Sequence, residues 1–334
     1  MNKTTLKDLA KEVNLSINTI SRALRDMPDI KEETKQRIKA AAEKMNYRTN
    51  LAASMLRTHR SRAIGVVVSD IANPVFSGMV KGIEFAAKKA NYSMILSDTN
   101  ETYEEEVSAL ENMFQRNVDG IILFPTLVKD GTVHKLLEKE TPFVLVGRKF
   151  NDISTNLVIN DDLQGGYLAA DHLYSRGHRK FLYIGGPMHM SSSTDRLEGF
   201  KQYLTEYGLP LNAVEVHETH ANWQGGYDTM KKLIKRGFEA TCAFVFSDYM
   251  ALGVLKALRE NKIGVPSDMA VMGYDNIDLC ELTVPSLTTI DLSKFRLGRR
   301  ALELLLQQMN SSSSYTGSLQ QIIMEPRLVV REST

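Results

Sequence analysis

The chain has 334 residues, 43% of them hydrophobic, which suits two or three folded units and excludes a disordered chain. Its 41 Lys/Arg and 40 Asp/Glu nearly cancel, yet residues 1–62 hold 14 basic against 7 acidic side chains and the remainder holds 27 against 33. This basic head on an acidic body has the charge layout of a nucleic-acid-binding appendage, or of a merely solubilising N-terminus. Two cysteines without metal-ligand spacing, no apolar run of ~18 residues and no apolar leader argue against a disulfide framework, a membrane span and secretion, so the cytoplasm is the expected compartment.

Three short amphipathic segments open the chain. Leu6, Leu9, Ala10 and Val13 fall at helical spacing, with Thr5 as N-cap and Asp8 favourably placed in the first turn. After a turn at Asn14 and Leu15, Ser16 can cap a second helix whose apolar positions are Ile20, Ala23 and Leu24. Beyond Pro28 a third helix is expected roughly over Lys31 to Met45, burying Ile38, Ala41, Ala42 and Met45. Two short helices joined by about three residues fit a helix-turn-helix, in which the second helix offers its outer face to the major groove. At about 100° per residue, Asn18 and Arg22 lie roughly 155–165° from the centre of the buried face. Thr19 and Ser21 flank it at about 100°, and Ile17 falls about 65° off centre, where periodicity does not decide between core and outside. Arg and Asn can read guanine and adenine, and hydroxyls suit phosphates, although an ordinary solvated face has the same residues.

Residues 50–62, NLAASMLRTHRSR, contain an Asn-capped segment of about two turns, too short to persist alone in water. It should order only against a partner. TLKDLAKEVNLSINTISRAL, continuing through the third helix to MNYRTN, resembles the N-terminal helix-turn-helix of the lactose-repressor (LacI/GalR) family of bacterial transcription regulators. The resemblance implies base contacts from Ile17, Asn18 and Arg22, and phosphate contacts from Ser16, Thr19 and Ser21. It also implies a hinge helix in the minor groove with Asn50 as cap, Ala53 near the groove floor and Leu56 wedged between base pairs. Two departures stand out: Ile30-Lys31 precedes the third helix where the family keeps a Ser, leaving Asp29 as a nearby cap candidate, and Thr49 replaces a frequent Pro.

From Ala63 the pattern becomes alternating buried strands and helices. AIGVVVSD, SMILSDT, DGIILFPT and PFVLVGR form one strand series; LVIND, FLYIGG, CAFVFSD and MAVMGYD form a second. Such alternation means parallel sheets covered by helices, in two α/β halves with a crevice at the carboxyl ends of the strands. The body also resembles the effector domain of the same family, which is of the periplasmic-binding-protein type. The expected division is a helix-turn-helix domain at 1–49, a hinge helix at 50–58 and a linker at 59–62. An N-terminal effector subdomain follows at 63–161 plus 291–322, and a C-terminal one at 162–290 plus 323–334. Residues matching family ligand positions are Asn73, Phe76, Arg148, Arg196, Ser247, Asp248 and Asp275, a set suited to ring stacking and hydroxyl recognition. Trp223 lies two places beyond the position of a frequent stacking aromatic, here Ala221, and Leu292 stands where a polar contact is frequent.

The expected function is a repressor whose operator affinity is set by a small ligand, with a sugar or sugar derivative preferred over a purine, a phosphorylated metabolite or a partner protein. A homodimer on a pseudo-palindromic operator is expected, without a cofactor or metal. A periplasmic binding protein would have no use for residues 1–60. An enzyme is disfavoured by the absence of G-x-G-x-x-G, of G-x-x-x-x-G-K-[ST], of H-E-x-x-H (HETH at 217–220 has the wrong spacing) and of G-x-S-x-G.

Overall fold

Thr5 begins the folded head. Its hydroxyl accepts from the Asp8 backbone N–H at 3.3 Å while its own N–H donates to the Asp8 carboxylate at 2.9 Å, a reciprocal box that opens helix α1 (Leu6–Glu12). Asn14, at φ +52°, turns the chain, a conformation its short amide side chain tolerates. Ser16 then accepts from Thr19 N–H at 3.1 Å and starts helix α2 (Ile17–Leu24). Helix α3 (Glu32–Lys44) closes the head over Leu9, Ala10, Ile20, Ala23, Ile38 and Ala42, which are all buried. The computed structural model describes residues 4–24, 26–47, 55, 60–310 and 319–334. It divides into two compact units, Met1–Ser61 and Arg62–Thr334. The hinge positions Asn50, Ala53 and Leu56 lie outside the described residues.

The second unit is built on two parallel sheets. The first contains β1 (Ala63–Val68), β2 (Ser93–Asp98), β3 (Gly120–Leu123), β4 (Phe143–Val146), β5 (Leu157–Asn160) and β11 (Gln321–Met324), in the order β11-β5-β4-β3-β1-β2. The second contains β6 (Phe181–Gly185), β7 (Val214–Glu218), β8 (Cys242–Val245) and β9 (Ala270–Met272), in the order β7-β6-β8-β9. β10 (Thr289–Asp291) and β12 (Arg327–Val329) form a separate antiparallel pair. Central strands such as AIGVVV, GIIL and FVLV are buried along their whole length, because helices cover both faces of a parallel sheet. β7 and the helix Trp223–Arg236, which the strand pattern did not reveal, complete the second half.

The chain leaves the first sheet after β5, and the helix Lys294–Asn310 returns to it, packing on the helix Pro74–Lys89 and against β3 to β5. That packing is backbone to backbone. A Cβ on Gly82 would lie 2.1 Å from Phe295 O, and one on Gly298 would lie 1.9 Å from Met79 O. The last crossing differs from the sequence boundary at 322/323, which would cut β11: Ile323 and Met324 still pair with Ile159 and Asn160, and the chain re-enters the second half only at β12. The strand register decides this, and an exposed edge strand gives little sequence signal of where it ends. No helix among the described residues is long and apolar enough to cross a membrane.

Candidate functional site

The head presents one face of α2. Ser16, Ile17 and Asn18 are exposed, and Thr19 and Arg22 are half-buried. Ile17 is 43% exposed whereas Ile20, one turn on, is fully buried. The side chain that periodicity left undecided therefore points out of the core. Ser21 differs from its companions: it is only 8% exposed, at the flank where α2 meets the body of the head. Arg22 donates from Nε to Asp29 Oδ2 at 2.9 Å, and its Nη2 lies 2.7 Å from the same oxygen. Those hydrogen bonds raise the Arg22 pKa and lower that of Asp29. Asp29 is thus not the cap of α3: Lys31 holds that position, without a side-chain cap, and the Asp29 carboxylate is turned toward Arg22. Lys35, unremarked in the sequence, is buried beneath the loop before α3, where its ammonium meets Asp26 Oδ1 at 3.1 Å.

In the second unit a cleft opens at the carboxyl ends of the strands of both halves, with about 570 Å³ of atom-free space including its mouth. Six of the eight expected ligand residues line it: Asn73, Phe76, Arg148, Arg196, Ser247 and Asp275. Asn73 caps the Pro74–Lys89 helix through Oδ1 to Val75 N–H at 3.2 Å, which turns Phe76 into the cleft edge-on to Phe124, with ring centroids 5.6 Å apart. Gly147 takes φ +76° at the end of β4, and Arg148 follows it. Arg148 forms a two-pronged pair with Glu101 at 2.8 and 2.6 Å and donates to Pro125 O at 3.0 Å. Arg196 donates from Nε to Asp162 at 2.9 Å and from Nη1 to Phe246 O at 2.5 Å, and its guanidinium lies 3.6 Å from the Tyr274 ring centroid. Asp275 Oδ1 is 3.9 Å from Arg196 Nη1.

Burial works against the Arg196 charge, but Asp162, Tyr274 and Asp275 outweigh it and raise its pKa. Burial raises the pKa of Asp275 well above its ordinary value; Arg196 and Lys294 pull it back, while Asp248 and Asp162 add to the rise. Beside the lining residues Arg148 and Arg196, Lys149 of the first half meets Asp195 of the second at 3.0 Å, and the Lys149 backbone N–H donates to Ser191 Oγ at 3.1 Å.

Two expectations are corrected. Asp248 does not line the cleft: it is fully buried at the first position of the helix Asp248–Glu260 and accepts from Thr289 Oγ1 at 2.6 Å and Ile277 N–H at 3.0 Å, pinning the turn after β9. Trp223 is 40% exposed and packs beside Tyr227, with centroids 6.5 Å apart. Asn222 caps its helix, so the indole starts a solvent-facing turn, and Ala221 occupies the cleft wall instead. Leu292 also lines the cleft. Glu101, Phe124, Asn160, Ser192 and Phe246 belong to the lining and were not singled out from sequence. Phe124, Asn160 and Phe246 stand at or just beyond strand ends, which is the signal that could have found them. Among the described residues no cluster of metal-ligating side chains occurs.

Comparisons with known proteins agree with both parts of this geometry. A family model described as "Bacterial regulatory proteins, lacI family" matches residues 5–50, and one for a periplasmic binding protein-like domain matches residues 170–334. The HTH-type transcriptional repressor PurR of Glaesserella parasuis serovar 5 (strain SH0165) is 31% identical, with 98% of each chain covered. The crystal structure of the lac repressor dimer bound to operator and the anti-inducer ONPF superposes with a TM-score of 0.86 at 26% identity, covering 100% of this chain and 99% of that one. A LacI family transcriptional regulator from Enterococcus faecium with bound ribose is 33% identical, covers 81% of this chain and 98% of its own, and has a TM-score of 0.73.

Proposed function

Because the chain belongs to the lacI family of bacterial regulatory proteins, whose members are DNA-binding transcription regulators rather than enzymes, we propose that it is a repressor governed by a neutral sugar bound in the cleft. The observation that carries the sugar reading is electrostatic. Both cleft arginines are already matched by carboxylates, Arg148 by Glu101 and Arg196 by Asp162. An anionic ligand would have to displace or repel one of them, whereas a hydroxyl can donate to a carboxylate and accept from a guanidinium at once. Phe76, Phe124 and Phe246 add apolar faces for a ring. The ribose held by the Enterococcus faecium regulator makes an aldopentose the first ligand to try.

In this reading Ile17, Asn18 and Arg22 touch bases, Ser16, Thr19 and the flank of Ser21 touch phosphates, and residues 50–58 act as the hinge with Asn50, Ala53 and Leu56 at the minor groove. The two effector subdomains are residues 63–161 with 291–324, and 162–290 with 325–334. A homodimer presents two heads to a pseudo-palindromic operator in the bacterial cytoplasm. Ligand closure of the cleft shifts operator affinity by its differential affinity for two states, typically ~1–3 kcal/mol. Thermal melting of the full chain with D-ribose, other free sugars, sugar phosphates and purine bases tests the effector. A ligand at about 100 times its dissociation constant adds ~2.7 kcal/mol. A response to free sugars alone is expected; a response only to sugar phosphates or purines overturns the neutral-sugar reading.

A further inference from the structure

Asp275 and Asn276 both hold positive φ, +117° and +52°, as does Ser293 at +49°. Asn tolerates the left-handed turn at +52°, but Asp275 at +117° is strained and remains there only when its surroundings over-determine it. Several contacts do so: Asp275 N–H donates to Ile290 O at 2.8 Å, Asn276 N–H to Thr289 Oγ1 at 3.2 Å, and Arg331 Nη2 to Asn276 Oδ1 at 2.9 Å. Lys294 completes the set. Its ammonium donates to Asp275 O at 2.9 Å and to Asn276 O. Its stem lies within the first half: a Cβ on Gly78 would sit 3.1 to 3.3 Å from Lys294 Cβ, Cδ and Cε. Gly78 is on the Pro74–Lys89 helix, which also contributes Phe76 and Met79 to the cleft. One side chain therefore rests on a helix of the first half and grips the turn of the second half that carries Asp275.

We propose that Lys294 is a positioning residue for effector binding, fixing the Asp275 carboxylate beside Arg196 and tying that placement to the Pro74–Lys89 helix. The inference rests on the reading of the cleft as the effector site. The charged groups facing Asp275 are Arg196 and Lys294, which favour its ionised form, and Asp248 and Asp162, which oppose it. Replacing Lys294 by Met removes both hydrogen bonds and one favourable charge while keeping the stem, so Asp275 keeps its proton to higher pH.

The test compares the full-length wild type with Lys294→Met and Lys294→Arg. Hydrogen–deuterium exchange without ligand should show the amides of Asp275, Asn276 and Ile277 opening about tenfold faster in Lys294→Met, with β8 unchanged and the Arg variant close to wild type. Unchanged exchange in Lys294→Met overturns the clamp. Titration with D-ribose from mildly acidic to mildly alkaline pH should show about tenfold weaker binding in the Met variant. Arg should restore it, and the acid-side loss of binding should move to higher pH in Lys294→Met. Equal binding by wild type and Lys294→Met, or a uniform loss at every pH that Arg does not restore, overturns the positioning role. If the wild type ignores D-ribose, the pentose reading falls and the exchange result alone judges the clamp.

Discussion

Arg22 and Asp29 hold each other on the surface of the head through Nε and Nη2, so in the proposed reading Asp29 competes with a guanine for Arg22. A solvent-screened surface pair of this kind holds only weakly. Asp29→Asn should therefore tighten binding to a selected operator by up to about fivefold, while Arg22→Ala should cost ~1–3 kcal/mol and relax one base preference. Fluorescence anisotropy on operator variants measures both, and equal loss on all sequences would reduce Arg22 to a phosphate contact. In the same series Ile17→Ala should change base preference with less than ~0.5 kcal/mol effect on stability, because 43% of the residue is exposed. Asp248 offers a test of the second unit. Burial raises its pKa from 3.8 to about 6. The folded state then holds a proton that the unfolded chain has released, so this carboxylate's contribution to stability falls as pH rises through that window and is flat above it. Asp248→Asn should remove that slope, so the stability difference from wild type changes by at most ~1.4 kcal/mol per pH unit between 3.8 and about 6. Urea unfolding at several pH values reads it; a constant difference would show that Asp248 does not titrate there.

The joint between the helices Pro74–Lys89 and Lys294–Asn310 depends on glycine at 82 and 298, where a methyl group would strike backbone oxygens. Gly298→Ala should force the helices apart and cost ~1–3 kcal/mol, measured by denaturant unfolding, and a change below ~0.5 kcal/mol would mean that the joint yields freely. Elements of this kind also show where sequence reading succeeds and where it stops. Thr5, Ser16 and the apolar spacing of α1 to α3 announce the head, since caps and periodicity are local. The all-apolar runs of β1, β3 and β4 announce parallel sheets for the same reason. β7 was missed because VEVHE is an edge strand with alternating burial, and the helix behind it opens with two glycines. Asp248 was misplaced because strand-end position brings a residue to the cleft rim without saying which way its side chain turns, and Trp223 because it was chosen for lying two places beyond a family aromatic position, where Asn222 starts a solvent-facing helical turn. The Glu101–Arg148 and Arg196–Asp162 pairs join residues 47 and 34 positions apart, and nothing local foretells them.

At the scale of the whole molecule, the halves of the second unit are joined by the chain crossings, by Lys294 and by Lys149 with Asp195. The head is a separate compact unit with its own core. A fragment beginning at Arg62 should therefore bind the effector as tightly as the intact chain while losing operator affinity. Calorimetry and anisotropy on the two forms check this, and a fragment that no longer binds ligand would mean that the head completes the cleft.

The pairing of every cleft arginine with a carboxylate has a consequence for how the two equilibria answer to ionic strength. Operator binding by a basic head releases counterions, so its affinity falls with slope about −0.9 per phosphate neutralised on a log–log plot against salt concentration. A neutral ligand entering a site of internally balanced, buried charge releases almost none, and its affinity should stay within about twofold over the same range. Salt then acts as a dial on one half of a linked system alone. Titrating effector at several salt concentrations, with operator present and absent, would separate the coupling energy between the sites from the affinity of either, without altering a residue.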